Sequence, residues 1–103
     1  MKHFLTRVEL YGSPSGADYT NLHNEMTARN FRKTVVGDNG KTYQLPSAEY
    51  ASHSTTLDVD GVRDLAIAAC RAVGYVPWPG TTGSKDCAVL TADWNRLSWN
   101  GLK

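Results

Sequence analysis

Several things are scarce or missing in this chain of 103 residues. It has two cysteines, Cys70 and Cys87, and no Cys-x-x-Cys or other metal-ligand spacing, which argues against a structural zinc site. Both cysteines sit in apolar surroundings (Ala-Ala-Cys-Arg-Ala and Asp-Cys-Ala-Val-Leu), so buried free thiols are expected rather than a disulfide. No stretch approaches the about 18 apolar residues of a membrane span. The opening Met1-Lys2-His3-Phe4-Leu5-Thr6-Arg7 alternates in polarity and lacks the unbroken apolar run of a secretory leader, so a cytoplasmic location and no membrane partner are expected. Strong charge of either sign is also missing. The net charge is +1, too little for a bulk field that draws the chain to a polyanion, so any such binding needs a local cluster of Arg and Lys. There is no glycine-rich phosphate loop, no nucleophile elbow and no helical His-Glu-x-x-His, which disfavours nucleotide triphosphate and serine hydrolase chemistry. Repeats and low-complexity segments are absent as well.

What is present is globular: 41% hydrophobic and 20% charged residues, at a length suited to a single domain over 1–103. Residues 3–11 read as a strand, with Phe4, Thr6, Val8 and Leu10 on one side and His3, Leu5, Arg7 and Glu9 on the other. Gly12-Ser13-Pro14 breaks it. Ser15 caps a helix running to about Asn30, with Asp18 near the first amides and Tyr19, Leu22, Met26 and Asn30 along one stripe. A hairpin over 33–45 turns at Asp38-Asn39-Gly40. A further extended segment runs from Ala48 to Leu57. A second helix over Val59–Val73 is capped by Asp58 or Asp60 and closed by Gly74. A strand stub at Tyr75-Val76, a loop around Trp78, a core strand over Cys87–Thr91 and a terminal hairpin arm through Trp94-Asn95, with Trp99 packing, complete the reading. This order predicts an α+β domain of ferredoxin-like plan: an antiparallel sheet of four to five strands with two helices packed on one face. The other face is then open or covered by a partner. Trp78, between two prolines, either marks a contact surface or folds back over the sheet.

Two residue sets bear on function. Arg7, Arg29, Arg32, Lys33 and Lys41 are suited to phosphate contacts, with Tyr43 and Tyr50 nearby to stack on bases, as open sheets do with single-stranded RNA. The alternative is solvated charge on ordinary strands. Metal-independent RNA cleavage needs a base, an acid and a cation, roles open to His, Glu, Tyr, Arg and Lys. His23 is the acid–base candidate, though it could also be a boundary histidine beside the helical stripe. His53 reads as a polar strand residue. The candidate catalytic set is His23, Arg29 and Glu49, and the candidate RNA-binding set is Arg7, Arg32, Lys33, Tyr43 and Tyr50. Glu9 and Glu49 alone are weak grounds for a metal, so no metal and no cofactor are expected.

These residues also carry a resemblance. Tyr19-x-x-Leu22-His23-x-x-Met26, Phe31-Arg32-x-Thr34, Gly37-Asp38-x-Gly40-x-Thr42-Tyr43-x-Leu45-Pro46-x-Ala48-Glu49-Tyr50 and Trp99-x-Gly101-Leu102 resemble the GhoS-like family, the antitoxin endoribonucleases of type V toxin–antitoxin systems. The resemblance covers most of the chain outside 75–86. It implies the ferredoxin-like fold of the small CRISPR-associated nucleases and sequence-selective cleavage of single-stranded RNA, specifically a toxin message. At a first-helix position where the enzyme that gives the family its name carries a basic residue, this chain has His23. Glu9 and Tyr11 stand where the CRISPR-associated nucleases have a metal-binding aspartate. The competing expectation is a non-catalytic interaction module, monomeric or homodimeric through an exposed sheet face or edge.

Overall fold

The alternation in the first ten residues becomes the middle of the molecule. The computed structural model describes residues 2–37, 39–77 and 85–94, and within it Lys2–Leu10 forms strand β1. Phe4, Thr6, Val8 and Leu10 are buried, and their neighbours in sequence point to the opposite face. Gly12 and Ser13 both take positive φ, which turns the chain away from the strand.

Helix α1, Gly16–Ala28, opens on a capping box. The Ser15 hydroxyl accepts from the Asp18 amide, and the Asp18 carboxylate accepts from the Ser15 amide, each at 3.1 Å. The helix is shorter than its apolar stripe suggests, because Asn30 adopts a left-handed φ of 68° and ends the run. Only Leu22 and Met26 of the stripe are buried, while Tyr19 is largely exposed.

After α1 the chain joins the backbone ladder of the main sheet at Arg32. Arg32 pairs with Ala51 through two 2.7 Å backbone hydrogen bonds. It then departs into a separate antiparallel ladder of β2, Thr34–Val36, and β3, Thr42–Gln44. Gly40, at φ 79°, makes the intervening turn possible. Strand β4, Glu49–Ser54, returns beside β1. Helix α2, Val59–Ala72, is capped by Asp58, whose side chain accepts from the Gly61 amide at 2.9 Å. Its buried residues, Val62, Ala66, Ala69 and Cys70, are mostly small and let the helix lie close against the sheet. Gly74, at φ 89°, follows it. Strand β5, Val76–Pro77, and strand β6, Asp86–Asp93, complete the fold.

The main sheet has the order β4-β1-β6-β5. β1 is antiparallel to β4 and β6, whereas β5 is parallel to β6. The expected all-antiparallel sheet of four to five strands is therefore a mixed four-stranded sheet plus a two-stranded ladder. Two local causes account for this. The turn at Pro46–Glu49, closed by a 2.9 Å hydrogen bond from the Glu49 amide to the Pro46 carbonyl, bends the chain between β3 and β4, so the hairpin cannot continue along the sheet edge. β5 enters from α2 in the same direction as β6, so their pairing is parallel.

One core unites Phe4, Val8 and Leu10 of β1, Leu22 and Met26 of α1, Phe31, Tyr50, the inner residues of α2, Tyr75 and Cys87. Both cysteines are free and buried in it. Contact with the Cys87 thiol, reinforced by burial, pushes the Cys70 thiol above its ordinary range, so it is a packing group rather than a nucleophile. Tyr75 donates to Asp18 at 2.9 Å and ties the end of α2 to the start of α1. Among the described residues no helix is long and apolar enough to cross a membrane. The Trp78 loop and the terminal arm with Trp99 lie outside the described residues.

Candidate functional site on the open sheet face

The face of β1 that turns away from the helices carries four cross-strand rows, since directly paired residues share a face. His3 faces His53. Leu5 lies between Ala51 and Ala92. Arg7 lies between Glu49 and Leu90. Glu9 faces Ala88. The bridge to Ala51 adds Arg32 to the second row. That row has a floor of modest side chains with Arg32 at its edge. The Leu90 side chain stands 67% exposed beside Arg7.

A cavity of about 360 Å³ opens beside this floor, lined by His3, Arg32, Val35, Ala51, Ser52 and Trp94 among others. Trp94 lies one residue past the β1–β6 register and lines the cavity together with His3. The β2 strand overhangs the other side. Ser52, which borders the cavity, pairs with Phe4, so its side chain belongs to the covered side, where its hydroxyl is buried with no hydrogen-bond partner among the described residues. An unmet hydroxyl costs about 1–3 kcal/mol unless water or a ligand meets it. The lining thus combines a planar aromatic ring, an imidazole and a guanidinium around small apolar residues. Such a set can stack on a flat ring and pair with an anion.

The predicted residues divide between the two sides of the sheet. Arg7, Arg32 and Glu49 belong to the open face. Arg7 is held by Glu9 at 2.8 Å, an exposed pair worth little and readily opened by an incoming anion. Arg32 is exposed at the cavity.

Lys33, the next residue, points the other way and has a different role. Its ammonium donates to the carbonyls of Pro46, Ser47 and Glu49 at 2.8, 2.8 and 2.7 Å and lies 4.5 Å from the centroid of the Tyr50 ring. All three ammonium protons are used in holding the turn that leads into β4. Burial lowers its pKa, an effect partly offset by the Glu49 carboxylate.

Tyr50 is 4% exposed and packs edge-on against Phe31, so its ring is a core element with no face open to a base. Burial raises its pKa. Tyr43 sits on the outlying ladder, where its hydroxyl accepts from the Asn39 side chain at 2.8 Å and its ring lies across Gly37. Any Cβ at Gly37 would stand 2.7 Å from that ring, so the glycine is needed for the close approach.

The candidate catalytic set does not converge. His23 is exposed on α1 against the Tyr50 ring, at 5.9 Å between centroids. Arg29 is bound to the backbone carbonyl and carboxylate of Glu25, at 3.0 and 2.7 Å. Glu49 lies beside Arg7. No hydrogen bond or ion pair among the described residues joins these three. Among the described residues no group of three or more His, Cys, Asp or Glu is placed to hold a metal.

Sequence reasoning missed His3 and Trp94 as site residues. The signal for His3 was available, since strand alternation already set His3, Leu5 and Arg7 on one face. Trp94 carried none, because its place depends on the β1–β6 register.

No protein-family model matches this chain, and a search of curated proteins finds no match.

Proposed function

We propose that the open face of the sheet binds single-stranded RNA, on a domain of ferredoxin-like plan related to the GhoS-like antitoxins. The observation that carries this reading is the cavity in which Arg32, His3 and Trp94 surround a floor of small residues. Single-stranded RNA is held by aromatic stacking together with backbone charge, and this face offers both across β6, β1 and β4. Arg7 extends the cationic track along β1. With a net charge of +1 the affinity comes from these local groups, so the salt dependence is shallow, about 0.7 per phosphate contact on logarithmic axes.

The fold proposal rests on connectivity. Taking the Arg32 bridge as a reduced edge strand, the order β6-β1-β4-Arg32 follows the ferredoxin-like pattern, in which two split βαβ units interlock. The RNA reading does not require cleavage. If the protein cleaves RNA, the separation of His23, Arg29 and Glu49 argues against those three acting together.

The test is an amide NMR titration with a short unstructured RNA. Shifts are expected at His3, Leu5, Arg7, Arg32, Ala51 and Ala92, with α1 and α2 undisturbed. Shifts confined to the helices, or none, would remove the reading.

A second reading is favoured by Leu90, whose exposure in the middle of the open face suits pairing with a second copy of the chain. Leu90→Lys separates the two. It abolishes self-association in sedimentation equilibrium if the face is a dimer contact, and it leaves or strengthens RNA binding if the face is a nucleic-acid surface.

A further inference from the structure

We propose that His3 and His53 form a two-imidazole site for a divalent transition-metal ion of the zinc, nickel or copper class. The two residues are exact cross-strand partners in the β1–β4 register, so their Cα positions are fixed by backbone pairing rather than by flexible loops. Both side chains are exposed, and their rings stand edge to face with centroids 5.8 Å apart and planes at 72°.

That separation fits a shared metal. A ring nitrogen binds such an ion at about 2.0–2.1 Å, which puts each ring centroid about 3.2 Å from it. Two rings on a tetrahedral ion then have centroids about 5.2 Å apart, and two rings on opposite sides of an ion about 6.4 Å apart. The observed spacing lies between these limits, so small side-chain rotations close the site without moving the strands.

Imidazole selects borderline ions over magnesium and calcium, which prefer oxygen ligands. Among the described residues no third His, Cys, Asp or Glu is grouped with the pair, so the remaining coordination positions fall to water or to an external anion. His3 lines the cavity, and Arg32 faces it from the segment before β2. The guanidinium opposes the charge of the bare ion but favours an anion bound to it. Arg7, farther along β1, is paired with Glu9. The site is therefore of the open kind, able to take a phosphate or carboxylate as a further ligand. None of this depends on the RNA reading.

The experiment is isothermal titration of the full chain with CuCl₂, NiCl₂, ZnCl₂ and MgCl₂, repeated on His3→Gln, His53→Gln and His23→Gln. One equivalent of copper or zinc is expected to bind, copper the tighter, with no heat from magnesium. His3→Gln and His53→Gln should each weaken binding at least tenfold, and His23→Gln should leave it unchanged. Paramagnetic copper should broaden the ring signals of His3 and His53 together. The proposal is overturned if there is no saturable binding, if His53→Gln binds as the parent does while His3→Gln does not, or if His23→Gln removes the binding.

Discussion

On one face of the main sheet Phe4, Val8 and Leu10 meet α1 and α2 and are almost fully shielded from water. On the other, the same strand presents His3, Leu5, Arg7 and Glu9, and β6 adds an exposed Leu90. Both sets come from one stretch of nine residues, sorted by strand periodicity alone. The covered face answers to packing. The open face combines charge and aromatic rings that packing does not require. The same contrast separates adjacent residues: Arg32 lies at the open cavity, while Lys33 is drawn inward to three carbonyls.

The largest effect expected on the covered side is that of Phe4→Ala. Emptying a fully buried aromatic site costs about 3–5 kcal/mol, readable as a lowered denaturation midpoint in urea. If the two faces are independent, the variant still binds RNA normally under conditions where it is folded.

Lys33→Met is next. It keeps the stem over Tyr50 but leaves carbonyls of the Pro46–Glu49 turn without their donor. A loss of about 1–3 kcal/mol is expected, with no change in the salt slope of RNA binding. A reduced slope would return Lys33 to the phosphate-contacting set and blur the comparison.

Tyr75→Phe removes the bond to Asp18 and should cost about 1 kcal/mol. It also carries a pH signature. Burial and the Asp18 contact raise the Tyr75 phenol to about 12. A raised acid favours the folded state fully below its unfolded value of about 10, and that contribution disappears as pH rises to about 12. The parent should therefore lose stability across that interval in pH-dependent unfolding, and the Phe variant should show a flatter curve. Asp18 has the opposite sign. Hydrogen bonds from the Ser15 amide and Tyr75 lower its pKa below 3.8, so its contribution is present above that value and fades in more acidic solution.

The smallest effect is that of His23→Ala. Its exposed ring rests on the covered side, so RNA affinity should stay within experimental error.

Much of the fold was legible in the sequence. The alternation in β1, the Ser15 and Asp58 caps, the Asn39-Gly40 turn and the Gly74 terminator are all local signals, and each element they delimit is present. The parallel pairing of β5 and the departure of the β2–β3 ladder were not legible, because both depend on how segments distant in sequence meet. The site was legible by halves for the same reason. Arg7 and Arg32 could be placed from alternation and local charge. Lys33 and Tyr50 have the same composition cues as binding residues. Only the folded chain shows that the ammonium serves the turn at Pro46 and that the ring fills the core against Phe31. Trp94 required the β1–β6 register.

Nucleic acid is proposed to bind the open face through Arg32 and Trp94 and not through the covered side. The direct measurement is fluorescence anisotropy of a labelled single-stranded RNA titrated with Arg32→Ala, Trp94→Ala, Lys33→Met and His23→Ala proteins, each checked for folding by circular dichroism. Loss of one stacked ring is worth about 1–3 kcal/mol, so Trp94→Ala should weaken binding about 5- to 150-fold. Arg32→Ala should weaken it by a smaller factor that shrinks as salt is raised, and the other two should match the parent. Parent-like binding by Trp94→Ala and Arg32→Ala, with loss in Lys33→Met or His23→Ala, would contradict the account.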